Sequence, residues 1–236
     1  HQVPSATLAS KSPLSVAKTG LALAKGIVAA RKLMKTVRPL VVVGFGGYPT
    51  FPPLIAARQL GIPTMLHEQN AVLGRANKML AGRVNAIATS FETTKFLEGP
   101  LLAKARFTGN PVRGIVLEAA ARVYPPLEPN GPFHVLIFGG SQGARYFSDA
   151  VPPALTLLPA PLKSRLNVVQ QAREEDVVRV RAAYHDAGIA AEISPFFKDL
   201  PARMAASHLV VGRAGASSVA ELTVIGRPSI LVPLPH

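Results

Sequence analysis

The sequence predicts an α/β protein made of two halves, each built around its own parallel sheet. Three observations carry this. Short apolar runs at residues 40–43, 135–138 and 209–211 alternate with helix-length segments over short links, the pattern of strand–helix–strand units. Each of these three runs passes into a glycine-rich turn and then a helix. Composition also changes after Thr108-Gly-Asn-Pro-Val-Arg113, and a Pro- and Gly-rich stretch at 125–132 precedes the second series.

Element by element, residues 12–37 predict one long helix interrupted only by Gly20 and Gly26. At 100° per residue, Leu14, Val16, Leu21, Leu23, Ile27, Val28 and Met34 cover a broad apolar arc. Lys11, Lys18, Lys25 and Lys32 recur every seventh residue and make a slowly drifting basic stripe. Such a helix either packs on the fold with its lysines in water or lies on a membrane surface. Pro39 ends it, and the run at 40–43 is a buried parallel strand. Gly44, Gly46 and Gly47 then form a tight turn before a helix at 52–60. A strand at 64–66, a helix at 75–82 and a strand at 86–90 complete the first series. The second series runs strand 135–138, helix 144–158, strand 167–170, helix 174–187, strands near 191–193 and 209–211, helix 217–225 and strand 229–232. Domain boundaries are expected at 1–113 and 114–236.

The 236 residues hold 26 Lys and Arg against 13 Asp and Glu, a formal charge of +13. Residues 1–113 carry +12 of this, and the first carboxylate is Glu68. That asymmetry points the N-terminal half at an anionic surface or polyanion. Nucleic acid is an unsuitable partner, because the chain is 6% aromatic, has no Trp and shows no RNA-binding signature. A hydrophobic content of 48% excludes a disordered chain, and no stretch is long and uncharged enough for a membrane helix. Without cysteine there is no disulfide framework and no thiol nucleophile. No metal site is expected, since the six His are scattered and no Asp-x-Asp pair occurs. The chain starts at His1 without Met and stops after an apolar run, so it reads as a fragment.

Three turns carry candidate chemistry: Gly44-Phe-Gly-Gly47, Gly139-Gly-Ser-Gln-Gly143 and Gly212-Arg-Ala-Gly-Ala-Ser217. A glycine turn leading into a helix aims free N–H groups and the positive helix end at one place, which suits phosphate. Ser141, with Gly140 and Gln142, and Arg213 are the phosphate candidates. Glu221, one turn into the last helix, suits two ribose hydroxyls. His67-Glu-Gln-Asn70 follows a strand and suits sugar hydroxyls, and Arg113 follows Asn110-Pro-Val. Gly139-Gly-Ser-Gln-Gly143 also fits the nucleophile elbow of α/β-hydrolases, with Ser141 as nucleophile and Asp199 and His208 as partners. That serine hydrolase, and a non-enzymatic basic lipid-binding module, are the alternatives.

Gly44-Phe-Gly-Gly-Tyr-Pro, His67-Glu-Gln-Asn70, Gly109-Asn-Pro-Val-Arg113, Gly139-Gly-Ser-Gln-Gly-Ala-Arg145, Arg213-Ala-Gly-Ala-Ser-Ser-Val-Ala-Glu221 and Val232-Pro-Leu-Pro-His236 follow one another in this order. Together they resemble the MurG family, the bacterial undecaprenyldiphospho-muramoylpentapeptide β-N-acetylglucosaminyltransferases. The resemblance implies a GT-B fold, two Rossmann-like domains with an inter-domain cleft. It implies inverting transfer of N-acetylglucosamine from UDP-N-acetylglucosamine to lipid I, forming lipid II in peptidoglycan synthesis. No cofactor is implied beyond the donor substrate, and the implied location is peripheral, on the cytoplasmic face of the bacterial inner membrane. Asn70 and Arg113 match donor-contacting positions, Ser141 the residue on the donor diphosphate, and Phe197 the one whose main chain reads uracil. Ala216, Ser217, Ser218, Val219, Ala220 and Glu221 match the helix start around the nucleotide. Lys18, Lys25 and Lys32 fall on the half that would touch the membrane. Phe197 replaces a more usual aliphatic residue. The family's N-terminal glycine-rich loop with its His, expected to supply the base chemistry, has no match here, nor has its Asp/Gln-rich donor segment. The isolated chain is therefore expected not to turn over.

Overall fold

The computed structural model describes residues 1–5 and 13–233, with the side chains of 13–16 and 140–144 outside the description. Lys11, the side chains of Leu14, Val16, Ser141 and Gln142, and the last three residues of the closing motif therefore lie outside the described residues. The chain divides into two compact units, His1–Asn110 and Pro111–His236.

In the first unit α1 (Pro13–Val37) leads to β1 (Val42–Gly44), α2 (Phe51–Gln59), β2 (Thr64–Glu68), α3 (Arg75–Ala81), β3 (Ala86–Thr89) and β4 (Ala105–Phe107). The strands form one parallel sheet in the order β1-β2-β3-β4. Leu66 and Ile87 of the sheet pack with Leu54 of α2, Leu80 of α3 and Leu73. Helix α1 packs on α2 through Ala30 and Met34 against Ala56 and Ala57. Gly26 adjoins this seam: a Cβ there would collide with the Pro4 carbonyl oxygen and lie 3.1 Å from the Pro52 ring, so the close approach of the N-terminal backbone is what requires glycine. The apolar arc expected on α1 divides accordingly. Leu21 and Val28 are 59% and 68% exposed and face outward among the exposed Lys18, Lys25 and Lys32. Seven-residue spacing puts Leu21 and Val28 opposite the buried seam, which is why the arc does not close.

The second unit contains α4 (Gly114–Ala120), β5 (Phe133–Phe138), α5 (Gly140–Thr156), α6 (Ala160–Lys163), β6 (Leu166–Gln171), α7 (Val177–Asp186), β7 (Ala190–Ser194), α8 (Leu200–Ala206), β8 (Leu209–Arg213), α9 (Ala216–Ile225) and β9 (Ser229–Val232). Its five parallel strands run β7-β6-β5-β8-β9. Strand β5 alternates between two cores: Val135 and Ile137 join Phe147 and Tyr184 on one face, while Leu136 and Phe138 join Val116, Met204 and Leu222 on the other. Helix α4 packs on α8 and α9, which makes Pro111 to Ala120 part of this unit. The Pro-rich stretch at 125–132 is a loop strapped onto it: Tyr124 donates to the His208 carbonyl at 3.0 Å, and Arg165 donates to the carbonyls of Gly131 and Glu128 at 2.8 and 3.1 Å. The helix expected from 174 begins as a short 3-10 turn, Glu174–Asp176. There Asp176 is buried against Arg179 at 2.7 Å rather than solvated.

Candidate functional site

Strand order alone picks out a candidate binding position on the second sheet. From β5 the chain winds outward through β6 to β7, then returns to β8 on the other side and continues to β9. The β5/β8 junction is therefore the topological switch point, and ligands of open parallel sheets sit at the strand C-terminal ends there. The ladder pairs Phe138 with Gly212, so the two strand ends lie side by side. Helix α5 opens directly beyond the first, with Gly139 as N-cap, and α9 opens beyond the second, with Gly215 as N-cap. Neither N-cap uses a side chain, so first-turn N–H groups of both helices stay available to an anion. Ser141 lies in the first turn of α5, and Ala216, Ser217, Ser218, Val219, Ala220 and Glu221 form the opening turns of α9.

Arg213 ends β8. Its guanidinium lies over Tyr146 at 4.7 Å and Phe147 at 5.2 Å, and its Nη1 donates to the Pro233 carbonyl at 2.9 Å. Its Nε is buried without a partner among the described residues. Glu221 is paired with Arg113: Nε and Nη2 donate to the same oxygen, Oε1, at 3.2 and 3.0 Å. Arg113 is the N-cap residue of α4, so the packing of α4 against α9 brings this pair together across 108 residues. The Glu221 side chain is 13% exposed and that of Arg113 64% exposed. A largely shielded carboxylate is thus covered by a movable cation. Phe197 is buried under the Arg203 guanidinium at 4.3 Å. Its main-chain N–H and C=O make no intramolecular hydrogen bond among the described residues, as reading a base through the backbone requires.

In the first unit the corresponding rim is organised by a residue the sequence did not single out. Glu68 ends β2 and is 1% exposed. Its Oε1 accepts from the Asn70 N–H at 3.0 Å and Asn70 Nδ2 at 3.1 Å, and its Oε2 accepts from the Gly74 N–H at 2.9 Å and Asn77 Nδ2 at 2.6 Å. Four donors on one buried carboxylate fix the loop, and with it the exposed Asn70. Gln69, expected beside Asn70 as a reader of hydroxyls, instead donates to the carbonyls of Phe45 and His67 and to His67 Nδ1. It ties the glycine turn to the loop. The turn uses Gly46 and Gly47 at φ of +83° and +74°, a region open to glycine. The following helical segment carries Pro49, Pro52 and Pro53, which have no N–H, so this turn is a poorer phosphate cradle than the two in the second unit. The signal for Glu68 was present, as a carboxylate closing a buried strand just before Asn70 and Gly74.

The hydrolase alternative fails on geometry. His208 enters β8 opposite His134, at the start of β5, whereas Ser141 lies beyond the end of β5. Four residues of strand separate the two ends, about 13 Å. His208 Nδ1 accepts the His134 N–H at 2.9 Å, and its Nε2 faces the Pro126 carbonyl at 3.3 Å. Asp199 is held by Arg203 Nε at 2.9 Å, a bond that lowers its pKa from the ordinary value. Asp199 and His208 are thus each engaged elsewhere, and His208 sits at the opposite end of the sheet from the start of α5, so the backbone arrangement does not support a triad.

The profile of the glycosyltransferase family 28 C-terminal domain matches residues 134–236, and that of the N-terminal domain matches residues 1–89. The chain belongs to glycosyltransferase family 28. Curated relatives named UDP-N-acetylglucosamine--N-acetylmuramyl-(pentapeptide) pyrophosphoryl-undecaprenol N-acetylglucosamine transferase bear out the resemblance read from the motifs. The one from Methylobacterium sp. (strain 4-46) is 58% identical over 234 residues, covering 99% of this chain and 63% of the relative. The one from Rhizobium rhizogenes (strain K84 / ATCC BAA-868) is 55% identical over 236 residues, covering 100% and 63%. The chain thus spans 63% of the length of these relatives. The crystal structure of Acinetobacter baumannii MurG matches with a TM-score of 0.74 at 30% identity, over 100% of this chain and 62% of that one. A UDP-GlcNAc 2-epimerase from Neisseria meningitidis, bound to UDP-GlcNAc, matches with a TM-score of 0.64 at 14% identity over 95% and 66%, a likeness of fold alone. Two parallel α/β units and these neighbours place the family 28 chain in the GT-B class.

Proposed function

We propose that the protein carrying this chain is an inverting glycosyltransferase of peptidoglycan synthesis. It moves N-acetylglucosamine from UDP-N-acetylglucosamine to the muramoyl 4-hydroxyl of lipid I, forming lipid II. The observation that supports this most directly is the convergence at the β5/β8 switch point of two uncapped helix starts, Arg213, and the Arg113–Glu221 pair. Glu221 accepts the two ribose hydroxyls of the donor, exchanging them for Arg113. The freed guanidinium turns to the donor. The diphosphate lies at the start of α5, at Ser141, where helix N–H groups stabilise the charge that grows on the leaving UDP. The Phe197 main chain reads the uracil. Within the first unit, Asn70, held by Glu68, offers its amide to a sugar hydroxyl. The acceptor 4-hydroxyl attacks the anomeric carbon from the face opposite the diphosphate, loses its proton to a base and displaces UDP.

The first unit is proposed to meet the anionic inner face of the membrane through the outer side of α1. Leu21 and Val28 supply the apolar contact, and Lys18, Lys25 and Lys32 the charge. The association proposed is peripheral, through this helix face; among the described residues no helix is long and apolar enough to cross a membrane. The function is tested by incubating the full-length protein that carries this chain with labelled UDP-N-acetylglucosamine and lipid I and analysing the product; the isolated chain is expected to give none. A β-linked disaccharide on the lipid is expected; release of free N-acetylglucosamine with no lipid product would overturn the reading.

A further inference from the structure

We propose that Val72, Arg75, Lys78, Met79, Lys95 and Phe96 form a seat for the prenyl diphosphate stem of the lipid-linked acceptor. The assignment of an acceptor to the first unit rests on the function proposed above. The seat itself rests on four observations.

Phe96 has φ of +69°, a left-handed conformation that is an outlier for a bulky residue. It stands in the tight turn closed by the Leu97 N–H on the Thr94 carbonyl, where Gly or Asn would fit without strain. Nor is the ring hidden in the core, since Phe96 is 45% exposed while Leu97 beside it is buried. Backbone strain kept for an exposed aromatic points to a use for that aromatic.

Two cations bracket the ring. Lys78 Nζ lies 3.3 Å from its centroid and Lys95 Nζ 5.3 Å away. Lys78, Lys95 and Arg75 are exposed, and none forms an ion pair with a carboxylate among the described residues. Of the nearby acids, Glu68 is turned inward onto Asn70, Gly74 and Asn77, while Glu92 and Glu98 are exposed and form no ion pair with these cations among the described residues.

Apolar side chains adjoin the cations. Val72 and Met79 are each 46% exposed, and Val72 forms a parallel β-bridge with Lys95. Three cations without ion-pair partners, interleaved with three exposed apolar side chains, complement an amphiphilic anion, with phosphates on the lysines and isoprenoid carbons on Val72, Met79 and Phe96.

The patch is also continuous with the site. The Lys95 N–H donates to the Ala71 carbonyl at 2.8 Å, and the Leu73 N–H donates to the Lys95 carbonyl at 3.0 Å. Both bonds fall within three residues of Asn70, so a diphosphate held here leaves its attached sugar beside the Asn70 loop.

The test is calorimetric titration of the chain with farnesyl diphosphate, inorganic pyrophosphate and farnesol. Farnesyl diphosphate is expected to bind at least roughly tenfold tighter than pyrophosphate, from burial of prenyl carbons. The double variant Lys78→Ala/Lys95→Ala is expected to weaken farnesyl diphosphate by about tenfold or more. Phe96→Gly is expected to weaken farnesyl diphosphate, leave pyrophosphate unchanged and not lower Tm, because glycine accepts the left-handed turn. The variant Lys18→Ala/Lys25→Ala/Lys32→Ala should bind as the parent does. Equal affinity for pyrophosphate and farnesyl diphosphate, or unaltered binding by Lys78→Ala/Lys95→Ala, would overturn the seat. UDP titrated into the same samples separates the two readings. UDP binding without farnesyl diphosphate binding sinks the seat and leaves the donor assignment; the reverse supports a prenyl diphosphate seat on the first unit and removes the nucleotide assignment of the second.

Discussion

The two units handle charge in opposite ways. The first, His1–Asn110, holds 14 basic and 3 acidic residues, and among the described residues none of them forms an ion pair. Its one buried acid, Glu68, is spent on amide donors. The second unit holds every described ion pair, including the Arg113–Glu221 pair at the switch point and the Arg203 bridge to Asp199 and Glu192. Charge left unbalanced on a surface is available to anions from outside. Charge balanced within a fold is architecture, opened only where a ligand offers a better partner. On the function proposed above, the first unit is the one suited to a membrane and a lipid-linked anion, and the second the one suited to a nucleotide.

Substitutions that respect or cross this division test it. The largest effect is expected for Glu221→Ala, which removes the acceptor of two ribose hydroxyls: about 3–4 kcal/mol of UDP affinity, read by calorimetry. Vesicle binding, unlike UDP binding, should respond to the triple variant Lys18→Ala/Lys25→Ala/Lys32→Ala. Each lysine near an anionic surface contributes about 1 kcal/mol, so flotation with anionic vesicles should fall by about 3 kcal/mol, and raised salt should mimic the variant. Salt-insensitive flotation would remove α1 from the membrane account. Glu68→Gln sharpens the comparison from the other side. Replacing one acceptor oxygen by a donor strands the Asn77 or Asn70 amide, costing about 2–3 kcal/mol of first-unit stability in urea denaturation while UDP affinity holds.

Smaller effects belong to the second unit. Arg113→Ala should cost no more than about 1 kcal/mol of stability, since its guanidinium is largely exposed. Any change in UDP affinity then reports on the donor rather than on folding. The smallest expected effect is one of pH. Burial, and then the neighbouring His208, lower the pKa of His134. A histidine whose native pKa is lowered takes up its proton more readily when unfolded. Second-unit stability is therefore full above the ordinary value of about 6.5 and declines as pH drops through it, levelling below the native pKa. Thermal melts from pH 8 to 5 should show this, and His134→Gln should flatten the profile.

Much of this division was legible in the sequence. The charge asymmetry, the central buried strands and the glycine-rich turns are local signals, and β5, β8 and α9 follow them closely; the run at 40–43 does not, since Leu40 is 90% and Val41 50% exposed and only Val42–Gly44 pair, at the edge of the sheet. The elements that were not legible depend on partners. Strand β4, Ala-Arg-Phe, has no apolar run and exists because the edge of β3 accepts it. Helix α4 shows only Val116 and Ala119 as core residues, and its place is set by α8 and α9. At the site, Asn70, Arg113 and Glu221 were named from motif positions. That Arg113 covers Glu221, and that Glu68 holds Asn70, are contacts formed by folding. The motif spelling also suggested a nucleophile elbow, which the separation of His208 from the end of β5 removes.

The central claim, that the second unit is a nucleotide site opened by exchanging Arg113 for ribose on Glu221, has one direct test. UDP is titrated into the chain, Arg113→Ala and Glu221→Ala by calorimetry. The account predicts that UDP binds the parent chain, that Glu221→Ala loses most of the affinity, and that Lys78→Ala/Lys95→Ala loses none. Binding of UDP to Glu221→Ala with the affinity of the parent, or no binding to the parent at all, would contradict it.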